Sequence, residues 1–207
     1  ADTLELTERV IEAVNSLAIQ QLICCSSAAV YGRPDTPSTV FHETATLAPL
    51  SDYGIAKVEM EQMVAKTAKM PATSLRISNI AGADALLGQL LTGAADKRLN
   101  LDIFASGHGP KRSYIGPESL AAVLVGLAAT NKPLPPVLNV SCDKSVYMDQ
   151  LLLSWQKKRL GEGIFIPRRA SDTAIENVVL DVSTLQLFVD VPSADSDALV
   201  DEVLSTM

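Results

Sequence analysis

Apolar residues recur along this chain in short blocks separated by amphipathic stretches, and the two patterns alternate. Leu6, Val10, Val14 and Leu17 fall at helical spacing and predict a helix over residues 4–18. Gln21-Leu-Ile-Cys-Cys25 is a brief apolar run of the kind that fills a buried parallel strand. A loop rich in Pro, Thr and Ser follows over 27–50, and Ser51 or Asp52 caps a helix reaching about residue 69, closed by Pro71. Next come a strand at 73–77, a helix over 84–93, and strands at 101–104 and 112–115. Pro117 suits the first position of a helix that runs to Ala129. A strand at 137–141, a helix over 146–159, strand-like pieces at 164–166 and 176–180, and a last helix from Ser193 or Ala194 complete the series. Such alternation predicts an α/β fold, a Rossmann-like, doubly wound and mostly parallel sheet. No internal repeat, low-complexity tract or flexible linker interrupts it.

In sheets of this kind ligands bind beyond the carboxyl ends of the strands. Ser27 follows the 21–25 strand and Asn79 follows the 73–77 strand, so both map to one rim. Tyr53 and Lys57 stand at i and i+4 and share a helix face. One site can therefore collect all four residues.

Composition narrows the function. The 207 residues are 47% hydrophobic and 20% charged, which is ordinary globular composition and enough for one sizeable domain, or a domain with a small lobe. A net charge of −7 argues against a nucleic-acid partner, which requires a basic footprint. The short basic runs Lys157-Lys158-Arg159 and Arg168-Arg169 read as a solvated helix face and a loop. No apolar run approaches the roughly 18 residues that cross a bilayer, and no secretory leader is recognisable, so a cytoplasmic protein is expected. Cys24, Cys25 and Cys142 sit in apolar segments and read as buried thiols, and with only His42 and His108 a histidine-rich zinc site is not expected.

The chemistry-bearing residues are Ser27, Tyr53 and Lys57. A free tyrosine ionises near pH 10, and making its phenolate common at pH 7 takes roughly 4 kcal/mol, which a neighbouring ammonium in a desolvated site can help supply. In that arrangement Tyr53 is the general base for alcohol oxidation and the general acid for the reverse. Lys57 tunes Tyr53 and bonds a cofactor ribose, while Ser27 holds the reacting oxygen. Taken singly, Tyr-x-x-x-Lys also describes an exposed helix face, and Ser26-Ser27 also describes a strand end that opens a turn. The joint occurrence, with Ser27 and Tyr53 separated by 26 positions, is more specific.

Beyond this the chain resembles the NAD-dependent epimerase/dehydratase family, the extended branch of the short-chain dehydrogenase/reductase superfamily. The resemblance rests on Ile23-Cys-Cys-Ser-Ser-Ala-Ala-Val-Tyr-Gly32, Tyr53-Gly-Ile-Ala-Lys57, Leu75-Arg-Ile-Ser-Asn-Ile-Ala-Gly82, Arg112-Ser-Tyr-Ile115 and Leu138-Asn-Val-Ser141. It implies that Ser27, Tyr53 and Lys57 are a catalytic triad. It further implies that Ser26, Tyr53, Lys57, Ile77 and Ser78 meet the NAD or NADP cofactor, and that Ser27, Asn79 and Arg112 hold a sugar or sugar-nucleotide substrate. Ser113, Gly116-Pro117-Glu118 and Ala83 depart from the family's usual residues at their positions. Ala28 and Ala29, where dehydratases of the family carry acidic residues, point toward an epimerase or reductase. The family's dimers imply a homodimer through the helices over 4–18 and 52–69. Residues 1–78 then belong to the dinucleotide-binding domain, and 79–207 carry the remaining Rossmann elements interleaved with a small substrate lobe.

The glycine-rich turn that cradles a dinucleotide pyrophosphate is missing from the expected pattern, since neither Gly107-His-Gly109 nor Gly161-Glu-Gly163 follows it. By resemblance the family's first strands would precede Ala1. Two other readings stand beside the enzyme. One is a non-catalytic binding module that kept the fold without the cofactor. The other is a serine hydrolase using Ser27 and His42, which lacks a Gly-x-Ser-x-Gly elbow.

Overall fold

The computed structural model describes residues 3–91, 98–159 and 164–207. Helix α1 (Thr3–Asn15) leads into strand β1 (Leu22–Ser27), a 3-10 turn over Ala28–Val30, and the two-residue strand β2 (Val40–Phe41). Helix α2 (Asp52–Thr67) starts where its pattern predicts, because the Ser51 hydroxyl accepts the Gly54 N–H at 3.1 Å. Then follow β3 (Ala72–Ile77), β4 (Asn79–Ile80), α3 (Leu87–Leu91), β5 (Leu99–Ile103) and β6 (Lys111–Ile115). Helix α4 (Pro117–Ala129) has its proline in the first turn, and β7 (Val137–Val140), β8 (Ser145–Tyr147) and α5 (Met148–Arg159) come after it. Strands β9 (Phe165–Arg169) and β10 (Asn177–Leu180), a 3-10 turn over Leu185–Leu187, and α6 (Ser196–Ser205) close the chain.

Three sheets organise these strands. Parallel β1, β3 and β7 form the first, in that order. The second runs β2-β10-β6-β4, all parallel, with β8 added antiparallel on β6. Parallel β5 and β9 form the third. The expected mostly parallel α/β architecture is therefore present, with β6–β8 the single antiparallel pairing among the described residues. The chain passes from the first sheet to the second at Ser78, whose N–H donates to Val140 O at 2.9 Å before Asn79 pairs in register with Tyr114. The rim predicted to hold ligands is thus a seam between two sheets.

The larger core packs Leu75, Leu138 and Val140 of the first sheet with Tyr114 and Ile115 of the second and with Leu127, Leu151 and Leu199 from helices. A smaller cluster of Val30, Tyr31, Phe41 and Leu180 lies under the turn that follows β1, with the Tyr31 and Phe41 rings stacked 4.7 Å apart. Asn139, fully buried in β7, ties these parts together. Its Nδ2 donates to Phe41 O at 2.9 Å and to Asp181 O at 3.0 Å, and its Oδ1 accepts the Tyr31 hydroxyl at 2.6 Å.

Some elements differ from the pattern. The helix expected over 146–159 begins at Met148, because 145–147 pair with β6 instead. The helix expected over 84–93 begins at Leu87, whose N–H is taken by the Asp84 side chain at 3.0 Å; its expected end lies outside the described residues. The first helix stops at Asn15, and the last starts at Ser196 under an Asp195 cap. The short strands β2, β4 and β8 fall in stretches read as loop or helix. Cys142 is buried as expected, but Cys24 is only half-buried and Cys25 is exposed, on a strand that lies at the sheet's edge among the described residues. Gly107-His-Gly109 closes the turn between β5 and β6, where Phe104 N–H meets His108 O at 2.9 Å; Gly161-Glu-Gly163 lies outside the described residues.

Replacing Asn139 by Ala leaves the Tyr31 O–H without its acceptor and the Asp181 carbonyl without its Asn139 donor, each costing about 1–3 kcal/mol if left unpaired, while Phe41 O keeps the Asp181 N–H at 2.9 Å. Urea unfolding should show a loss of at least about 2 kcal/mol, whereas Val125→Ala on the exposed face of α4 should stay within about 0.5 kcal/mol of wild type.

Candidate functional site

Strand β1 delivers Ser27 at its carboxyl end, and the Ser27 hydroxyl accepts the Ala29 N–H at 3.2 Å, opening the 3-10 turn. As the acceptor of that bond it keeps its own proton to donate elsewhere. The first turn of α2 then brings Tyr53 to this turn. Gly54 makes the approach possible: a Cβ there would lie 2.7 Å from Ala29 O and 2.9 Å from Pro49 Cβ. Gly32 serves the same loop in another way, with φ of +73° and a backbone so close to Ala48 that an added Cβ would sit 1.8 Å from its carbonyl oxygen.

Ser27, Tyr53, Ile77, Ser78, Asn79 and Arg112 line one cavity of about 300 Å³, floored by Val178 and Leu180 of β10. These six come from β1, α2, β3, the sheet seam, β4 and β6, so residues spread over 85 positions meet at one place (112 − 27). Tyr53 is 56% exposed, so its phenol is open to whatever enters. Lys57 sits behind it rather than in the lining. Its Nζ donates to Cys25 O at 2.8 Å and lies 5.7 Å from the centre of the Tyr53 ring.

Ser26 is not brought to the cavity. Successive strand residues face opposite ways, and the buried Ser26 hydroxyl donates to Glu61 Oε1 at 2.5 Å. Ser113 also has a structural task here, its hydroxyl accepting the Leu180 N–H at 3.0 Å.

Arg112 is held rigidly. Its Nη1 donates to Lys111 O and Glu176 O, each at 2.8 Å, and its Nη2 donates to Ile175 O at 2.7 Å. Burial pushes the guanidinium down to about 10, which leaves it a cation at neutral pH. Asn79 and Arg112 also border a second cavity of about 460 Å³, lined further by Asp84, Leu101, Tyr114 and Met148. There the Tyr114 hydroxyl donates to Asp84 Oδ2 at 2.7 Å, and burial together with the Asp84 charge raises the phenol well above its ordinary range. The two cavities meet at a positive charge, an arrangement suited to an elongated ligand with an anionic middle.

The sequence reading missed the polar residues behind the cavity: Tyr31, Glu43, Glu61, Arg76 and Asn139. Two signals were available. Arg76 interrupts an otherwise buried strand and so requires an internal partner. Glu61 stands four residues beyond Lys57 on the same face of α2.

A cavity at the carboxyl ends of parallel strands is where a Rossmann-like fold binds its ligands. The chain belongs to the NAD dependent epimerase/dehydratase family, which residues 1–140 match. No curated protein matches it significantly. Its fold is similar to that of UDP-glucuronic acid 4-epimerase from Bacillus cereus, with a TM-score of 0.76 at 19% identity, covering 99% of this chain and 68% of that one. UDP-N-acetylglucosamine 4-epimerase from Methanobrevibacter ruminantium gives 0.75 at 18% identity, covering 99% and 69%. The NAD-dependent NDP-hexosamine 5,6-dehydratase TunA of tunicamycin biosynthesis gives 0.76 at 18%, covering 98% and 68%. At such identities the likeness is one of fold.

Ser27 caps only a single 3-10 turn, so Ser27→Ala should cost no more than about 1 kcal/mol in urea unfolding. A much larger loss would mean that the hydroxyl is there for folding.

Proposed function

We propose that this protein is an NAD-dependent enzyme that oxidises a hydroxyl of a sugar nucleotide, with Tyr53 as the acid/base. The single observation that carries this reading is the shared lining of one cavity by Ser27, Tyr53, Ile77, Ser78, Asn79 and Arg112. Tyr53 takes the proton of the substrate hydroxyl and returns it in the reverse direction. Ser27 donates its free proton to the same oxygen and fixes it in place. Lys57, its ammonium 5.7 Å from the centre of the Tyr53 ring, supplies the positive charge beside the acid/base.

NAD, when bound, supplies the hydride acceptor. Ile77 and Ser78 form the cavity wall suited to its nicotinamide end, and Lys57 is within one helical turn of Tyr53 to meet the adjoining ribose. Among the described residues no glycine-rich turn opens a helix after a strand, so the pyrophosphate is assigned to no residue here. Arg112 and Asn79 are assigned to the phosphates of the sugar nucleotide, because they stand between the two cavities and Arg112 bonds backbone carbonyls and forms no ion pair with a carboxylate among the described residues. The second cavity then takes the nucleoside.

The same reading includes a homodimer and a cytoplasmic setting. Leu6 and Val10 of α1 and Ile55 of α2 are exposed, and the α1–α2 groove, about 520 Å³, contains apolar Leu4, Ile11 and Met63. All three cysteines are free, as suits a reducing compartment.

Tyr53→Phe in the intact protein should lower turnover of a UDP-sugar by about 10²–10⁴-fold while NAD binding, read by isothermal calorimetry, is unchanged. Full turnover in that variant would remove Tyr53 from the chemistry.

A further inference from the structure

Tyr53, Lys57 and Glu61 succeed one another at four-residue steps along α2, on a single face that runs from the cavity into the interior. Tyr53 is exposed, but Glu61 is only 8% exposed and holds a dense set of bonds. Its carboxylate accepts the Ser26 hydroxyl at 2.5 Å, Arg76 Nε at 3.1 and 3.2 Å, and Arg76 Nη2 at 2.8 Å. Arg76, 4% exposed, spends its remaining nitrogen on the Tyr31 hydroxyl at 3.1 Å and Glu43 O at 2.9 Å. Ser26 directly precedes Ser27, and Arg76 directly precedes Ile77. The carboxylate therefore fastens α2 to the two strands that carry the cavity wall, at the residue next to the wall in each case.

We propose that Glu61 is a positioning residue, whose bonds to Ser26 and Arg76 set the height of α2 against β1 and β3 and so place Tyr53 and Lys57 over Ser27. This rests on the reading of Tyr53 and Lys57 as the proton-handling pair. Apolar packing alone fixes that height weakly, because among the residues of α2 only Gly54, Met60, Glu61 and Val64 are buried. A helix held by so few apolar contacts can slide or roll at little cost, whereas four bonds from three donors on two strands, all converging on one carboxylate, cannot all survive such a shift. Met60 reports on the same region, since it is buried and its Sδ lies 3.9 Å from Lys57 Nζ.

Two variants separate position from stability. Glu61→Gln keeps an acceptor for Ser26 and Arg76 but leaves the buried guanidinium without its counter-charge, which is strongly destabilising. The triple variant Ser26→Ala/Glu61→Leu/Arg76→Met removes both charges and the Ser26 hydroxyl, the Tyr31 hydroxyl keeps its bond to Asn139 Oδ1, and apolar replacement of a buried pair is often neutral or stabilising. Melting temperature should therefore fall in Glu61→Gln and recover in the triple variant. Position should behave in the opposite way. The Met60 methyl resonance, read with ¹³C-methyl methionine, should stay near its wild-type frequency in Glu61→Gln and move in the triple variant, while Met148 stays in both. Turnover should follow Met60, with kcat reduced on the order of 100-fold in the triple variant at a KM changed less than about 3-fold. If kcat instead tracks melting temperature, or Met60 keeps its wild-type frequency in the triple variant, the proposal is wrong. A wild-type protein without turnover would remove the enzymatic reading, and the Met60 resonance would still decide whether Glu61 positions α2.

Discussion

A guanidinium buried in the middle of a central strand is the constraint around which this molecule is built. Arg76 lies in β3, between β1 and β7, and such a charge cannot leave water without a partner and a full set of acceptors. Glu61 supplies the charge from α2, Tyr31 an oxygen from the turn after β1, and Glu43 a carbonyl from the long loop. The Glu43 carboxylate in turn accepts the Asn139 N–H at 3.1 Å and the Thr184 hydroxyl at 3.3 Å. Satisfying one side chain thus orders the first sheet, the helix beside it, and the loop between them. The pair is weak evidence for net stability, because desolvation offsets much of its attraction. Its effect is geometric.

That geometry explains why the cavity lies where it does. The loop over 27–50 would otherwise be free to swing, yet Tyr31 is stacked on Phe41, bonded to Asn139 and covered by the Arg76 guanidinium 5.0 Å from its ring centre. With the loop pinned, Ala29 is fixed where Gly54 can approach it, and Tyr53 follows. On the far side Ser78 crosses between sheets, which brings Asn79 and Arg112 to the same opening. Arg112 has no carboxylate partner among the described residues, in contrast to Arg76. One arginine is neutralised and serves the scaffold; the other stays charged and faces the cavities.

Much of the fold was legible because its signals are local. Ser51 caps α2 and Pro117 starts α4 through contacts within a few residues, and strand β3 follows directly on the Pro71 stop with Leu75 and Ile77 at alternate positions. Strands β2, β4 and β8 are two or three residues long and exist only through partners far along the chain, such as Val40 with Val179 and Asn79 with Tyr114. No local pattern encodes them. Of the residues expected to share a site, Ser27, Tyr53, Ile77, Ser78, Asn79 and Arg112 do gather at one cavity, and Lys57 stands outside its lining. The site was not legible for Ser26, although the two-residue period of a strand already places Ser26 and Ser27 on opposite faces. The supporting shell was hidden for a different reason: a buried polar residue looks like a surface one until its partners are known.

The central claim is that a sugar hydroxyl is oxidised in the cavity between Ser27 and Tyr53. The most direct test adds a panel of UDP-sugars to the intact protein with bound NAD and follows the near-ultraviolet absorbance of reduced nicotinamide. The account predicts that this absorbance rises with at least one sugar nucleotide and not with the free sugar, which lacks the phosphates that Arg112 would hold. No rise with any sugar nucleotide, in protein shown to bind both partners, would contradict it.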